Sequence, residues 1–214
     1  MSCAIRSELD ARPTETLDRQ RCTALAPGIQ WWQSAVILTD ALRQRLDEIT
    51  ENGNPESHPD LIAQLRQYVP HAIEVVPSPA PISRYTCVVH ALNLVENKEY
   101  EEIVLASPKH VFASPAFVDR LISRQVLAPA PCKCSGSLVL YRQGGRLKHI
   151  GKMVLADNVE SKWGVGHLYR HPMLEVPAKY GCETEFVDAI DADVAIDELV
   201  VWARENGVRF EGDV

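Results

Sequence analysis

Residues 135–164 read SGSLVLYRQGGRLKHIGKMVLADNVESKWG, and this stretch decides the fold. Short apolar bursts are broken by Gly144-Gly145 and again by Ala156-Asp157-Asn158, both tight-turn compositions. The pattern predicts three short antiparallel strands, with residues 185–187 as a candidate fourth. Upstream, Thr86 is a suitable N-cap for a helix carrying Val88, Val89, Ala91, Leu92 and Val95. Ser114 followed by Pro115 predicts another helix, with Phe117, Val118, Leu121 and Ile122 apolar. Downstream, a last helix is expected from about Asp193, carrying Ile196, Leu199, Val200 and Ala203 to a stop at Gly207. Helices followed by a run of strands predict an α+β domain.

Further out, the pattern weakens. Residues 1–30 have no sustained period and hold Pro13, Pro27 and Gly28, which predicts a loosely docked arm. A helix is expected from a Thr39 cap through Leu42, Leu46 and Ile49 to Gly53. A second starts at Pro59 with Leu61, Ile62, Leu65 and Tyr68 on one side. The connector 77–83, PSPAPIS, has three prolines in seven residues and is extended. The predicted organisation is an arm and helical extension over 1–76, the connector, a core over 84–190, and a helix with an acidic tail over 191–214.

The chain has 214 residues, 46% of them hydrophobic, and a formal net charge of -7. That content suits a packed globule and excludes a wholly disordered chain. No apolar run is long enough for a membrane span, and the acidic balance argues against wholesale nucleic-acid binding. The start, MSCAIRSELDARPTE, lacks the apolar centre of a signal peptide, so the expected location is cytoplasmic, or outside by a route without a cleavable signal. The charge is uneven: -4 over 1–80, +5 over 81–182 and -8 over 183–214. A mildly basic middle therefore lies between acidic flanks, and it leaves an anionic or acidic-peptide ligand open.

The middle also holds the chemistry. With Thr86 as cap, Cys87 occupies the first turn of its helix, where exposed N–H groups favour a thiolate. Its bland reading is a small buried apolar residue. His149 follows on the central predicted strand, just after the Gly-Gly turn and beside Gly151. A helix-start cysteine and a sheet histidine are what a thiol nucleophile and its base require. Glu160 and Ser161 fall on the next strand, and alternation lets only one of them share His149's side. The strand register decides which.

The order of Cys87, the strand SGSLVLY and the strand HIGKMVL resembles the NlpC-type division of the papain-like superfamily. In finer detail, Cys87-Val88-Val89-His90-Ala91-Leu92, His149, Ser161-Lys162-Trp163-Gly164, His171-Pro172 and Tyr180-Gly181 are similar to an uncharacterised, mostly bacterial family. That family has a C-x-x-x-A-L helix, a strand histidine, an S-K-L-G element and a Y-G pair. The likeness covers residues 84–188 and implies a papain-like core with acyl chemistry on an amide. Cys87 would be the nucleophile, His149 the base, Glu160 or Ser161 the orienting residue, and helix-start N–H groups the oxyanion donors, with Tyr85 and Thr86 in support. The implied substrate is a peptide, isopeptide or glutamine side chain. Thr86 stands where an Asp often precedes the cysteine, Ser137 replaces the acid of the first strand, and the third catalytic residue has no clear match. The alternative is a catalytically incomplete fold serving as a binding or regulatory module.

Other constellations point elsewhere. Cys132-Lys133-Cys134 offers one C-x-C where structural zinc wants two ligand pairs, and His110 or Cys182 would have to come from far away. Two reduced thiols in a loop are expected there, and no metal or cofactor is implied. His167 and His171, near Pro172 and glycines, suggest an irregular segment. Trp31-Trp32 ahead of the first helix is either arm packing or a protein-partner patch.

Overall fold

The structure is a computed structural model describing residues 30–210 except Cys132 and Ala156, with side chains described from Thr39 onward. Its helices are α1 (Gln30–Asn52), α2 (His58–Leu65), α3 (Cys87–Ala91), α4 (Lys98–Ala106), α5 (Pro115–Ser123) and α6 (Ala192–Glu205). Its strands are β1 (Glu74–Val76), β2 (Leu138–Gln143), β3 (Arg146–Leu155), β4 (Asn158–Lys162), β5 (Leu168–Pro172) and β6 (Glu183–Val187). The fold is α+β, as the strand-dense middle predicts. All strand pairs are antiparallel, in the order β1-β5-β4-β3-β2-β6.

Side-chain alternation divides the interior in two. Leu138, Leu140, Leu147 and Ile150 face α3, α4, α5 and α6 through Val88, Ile103, Phe117, Leu121 and Leu199. Val139, Tyr141, Met153, Val159 and Tyr169 face Leu42 and Leu46 of α1 and Ile62 of α2. Residues before and after the 77–83 connector thus share one sheet and one of its two cores, since β1 pairs Val75 with Tyr169. Asp47 of α1 accepts the Lys179 N–H at 2.9 and 3.1 Å, and Arg43 donates to the Gly181 carbonyl. These bonds fasten α1 to the short 3-10 turn Ala178–Tyr180. Gly181 has φ +86°, and a Cβ there would lie 2.0 Å from the Arg142 carbonyl oxygen, so only glycine lets the turn cross β2.

Several expectations need correction. The first helix starts at Gln30, so Thr39 is interior to it and Trp31-Trp32 lie within α1; their side chains fall outside the described residues. Residues 1–29 of the arm expected over 1–30 also fall outside them, and Gln30 belongs to α1. Helix α3 stops at Ala91 rather than reaching Val95, and Asn93 turns the chain with φ 59°. Helix α4 is additional; its sequence KEYEEIVLA buries only Tyr100 and Ile103, too thin a stripe to stand out. The segment read as irregular around His171 is strand β5, whose Pro172 sits at the strand end. The last helix is capped at Asp191, two residues earlier than read. Cys134 is disulfide-bonded rather than a reduced thiol.

Candidate functional site

Helix α3 sets Cys87. The Thr86 hydroxyl accepts the Val89 N–H at 3.3 Å and leaves the first turn of N–H groups at the cysteine. The site's other half is shaped by a β-bulge. Tyr141 pairs with His149 and Arg142 with Leu147, so Lys148 has no partner of its own. The extra residue places Leu147 and Ile150 on the α3 face and turns His149 to the α1 face. There its ring stacks on Tyr180, centroids 4.0 Å apart and 7° from parallel, with Tyr141 at 5.6 Å.

Between β3 and β4 the ladder ends at Lys152↔Glu160, whereas β4 stays paired to β5 as far as Lys162↔Leu168. Beyond that point the two strands are no longer paired, and Ile150 faces the Cys87 sulfur instead. The N–H groups of Ile150 and Val88 face it and, with Lys162, pull the thiol down, yet burial outweighs them and pushes it above its ordinary value. Cys87 therefore reaches the residue next to His149 from the opposite side of the sheet. Cys87 is still only partly buried. It lies in a cleft of about 330 Å³ walled by residues 82–86 and by Gly164 and Val165. Arg84 is the charged side chain among those walls.

His149 is 2% exposed, and its Nε2 has no hydrogen-bond partner. Burial first, then His171, His90 and Lys162, hold its pKa well below 6.5, so the ring is a neutral imidazole at pH 7. Gly151 beside it does not open a void. A Cβ there would meet Val159 Cγ1 at 2.4 Å and Ser161 Cβ at 3.0 Å, so the glycine lets β4 pack close.

The register settles which of Glu160 and Ser161 shares His149's side: it is Ser161. Its hydroxyl is engaged elsewhere, donating to His171 Nε2 at 2.8 Å and accepting the Trp163 indole N–H at 3.0 Å. His171 Nδ1 donates to the Pro172 carbonyl at 2.9 Å, which fixes that tautomer. Glu160 lies on the α3 face, 3.2 Å from Arg170 and 3.6 Å from His90. Neither residue orients His149; the Tyr180 ring does. Tyr85 places its hydroxyl 2.6 Å from Ser78 Oγ, away from an oxyanion role, and Thr86 serves as the cap.

Sequence reading passed over Lys162. It is 0% exposed, and its Nζ donates to the Gly164 and Gly166 carbonyls, each at 2.8 Å. The same ammonium lies 5.1 Å from the Tyr85 ring centroid. Lysine is the residue type least expected inside, so composition gave no hint beyond the S-K-x-G resemblance. Among the described residues no group of three or more His, Cys, Asp or Glu is placed to hold a metal. Nor is any helix among them long and apolar enough to cross a membrane. Comparison with protein families, with curated proteins and with solved structures finds no match to this chain.

Proposed function

We propose that the protein is a thiol-dependent hydrolase or acyl transferase acting on an amide bond through Cys87, with His149 as base. The observation that carries this reading is the cysteine at the first turn of α3, lying in an open cleft with its sulfur against the N–H of the residue after His149. The NlpC-type likeness of residues 84–188 points the same way. Because burial keeps the thiol protonated at rest, the thiolate forms during attack. For this the imidazole, which rests on the α1 side against Tyr180, has to turn toward the sulfur, and the S–H proton then passes to it as sulfur bonds to the carbonyl carbon. Helix-start N–H groups take the oxyanion charge. The imidazolium then returns the proton to the departing amine, leaving a thioester that water or a second amine opens. The cleft, with apolar Ile82 and Val165 and the cation of Arg84, suits a peptide or protein substrate carrying an apolar group and a nearby acid.

The test is substrate profiling of wild type beside Cys87→Ala and His149→Ala on amide and isopeptide libraries, with mass spectrometry for an acyl group on Cys87. Turnover should fall about 10²–10⁴-fold without the base and vanish without the thiol. Equal behaviour of wild type and Cys87→Ala ends the enzyme reading. One observation favours the second reading, a binding module: the base has no hydrogen-bonded orienting partner among the described residues. A ligand bound equally by wild type and Cys87→Ala, with no acyl intermediate, would establish it.

A further inference from the structure

Lysine is rarely buried unless an anion accompanies it, because removing an ammonium from water costs several kcal/mol even after relaxation. Lys162 is fully buried and no described carboxylate pairs with it. Its carbonyl partners Gly164 and Gly166 satisfy two of three N–H donors and give no countercharge. The nearest carboxylate on its own strand, Glu160, is taken by Arg170 and His90. On β3, Lys152 adds positive charge and donates to Asn93. His90 and His149 are held neutral by burial, and Tyr85 and Tyr180 are held protonated. The Lys162 ammonium lies 5.1 Å from the Tyr85 ring centroid and bonds the Gly164 carbonyl, and Tyr85, Gly164 and Cys87 line one cleft. The anion missing from this pocket is therefore the one Cys87 can supply.

We infer that Lys162 is the charge partner of Cys87: its ammonium stabilises the thiolate and, through the Gly164 and Gly166 carbonyls, holds the cleft wall at the distance the sulfur needs. The inference rests on reading Cys87 as the nucleophile, and it makes Lys162 a positioning residue. A cation here favours the thiolate and disfavours an imidazolium on His149, so the two do not rest as an ion pair; the proton moves only during attack. Burial pulls Lys162 down to about 8 even with the Cys87 charge opposing it, the reciprocal effect expected of a coupled pair.

The experiment needs no substrate. Alkylation of Cys87 by iodoacetamide is followed between pH 6 and 10 by peptide mass spectrometry, which separates it from the exposed thiol of Cys182. Lys162→Met should slow the reaction at pH 7 about tenfold, one pKa unit of lost thiolate. Lys162→Arg should recover most of the rate. A profile identical in wild type and Lys162→Met overturns the inference. Should Lys162→Met fail to fold, Lys162→Gln takes its place in the same alkylation series, with the same tenfold slowing expected at pH 7 and an unchanged profile overturning the inference. Amide turnover does not enter the measurement. Intact coupling without turnover rejects the hydrolase reading alone, and turnover without coupling rejects the lysine's role alone.

Discussion

The two faces of the central sheet solve the same problem in opposite ways. On the α1 face, Trp163, Ser161 and His171 are buried as a closed neutral chain that ends on the Pro172 carbonyl, beside the unpaired His149 Nε2 and the buried Arg43. On the α3 face, polar groups are buried as charges: Glu160 against Arg170 and His90, Lys152 against Asn93, and Lys162 without a described carboxylate. A neutral chain with every member satisfied rigidifies a core and leaves nothing to react. A face with an unmatched charge keeps a place for an anion. The cysteine approaches from the charged face, and the histidine waits on the neutral one.

The contrast breaks most severely at Trp163, which is 1% exposed and anchors the neutral chain. Trp163→Ala should cost about 3–5 kcal/mol in a urea melt. A loss below 1 kcal/mol would mean the α1 face is not the tightly packed one.

Acid should act next. The His171 pKa is depressed from 6.5 to about 4 by burial, and so is that of His90. The unfolded chain takes up these protons first, so the stability they contribute is full above pH 6.5 and is lost as pH falls from there toward 4. His171 alone accounts for on the order of 2 kcal/mol by pH 4. Chemical denaturation at pH 7.5 and pH 5 should show the fall, and His171→Asn should flatten it. A wild type equally stable at both pH values would contradict neutral burial on either face.

Ser161→Ala comes third. It strands the Trp163 indole N–H and His171 Nε2 together, costing about 1–3 kcal/mol, and the loss should not change between low and high salt. Glu160→Gln comes last. Arg170 is 43% exposed on its side chain, so the pair is partly screened and its loss should stay below about 1 kcal/mol, shrinking further in salt. If the two variants show the same salt dependence, the division into neutral and charged faces fails.

Much of this was legible in the sequence, for identifiable reasons. Gly144-Gly145 between LVLYRQ and RLKHIG marks the β2–β3 hairpin, and Ser114-Pro115 marks the start of α5, because backbone conformation there depends on single residues. The bulge at Lys148 was not legible. A one-residue insertion in a ladder leaves no composition signature, yet it decides that Leu147 shares a face with Ile150 and not with His149. The choice between Glu160 and Ser161 depended on a second register, that of β3 against β4, which no local pattern fixes either. Strand β5 was missed because LYRHP is short and carries a terminal proline, and its pairing comes from β4 and β1 rather than from its own pattern. Lys162 was passed over for a different reason: its burial follows from where β3 and β4 part, which no local window contains.

The strand order also has a temporal side. β2, β3, β4 and β5 are consecutive in the chain and adjacent in the sheet, so each pairing closes a short loop. Cys87, by contrast, leaves the ribosome some fifty residues ahead of the first of these strands. During synthesis the thiol exists for an interval without Ile150, Lys162 or the strand that carries His149. A nascent chain stalled before residue 138 should accordingly show Cys87 titrating as a free thiol. Docking of the meander then does two things at once: it brings Ile150, Lys162 and the His149 strand to the sulfur, and by burial it raises the thiol above the value it has in the nascent chain.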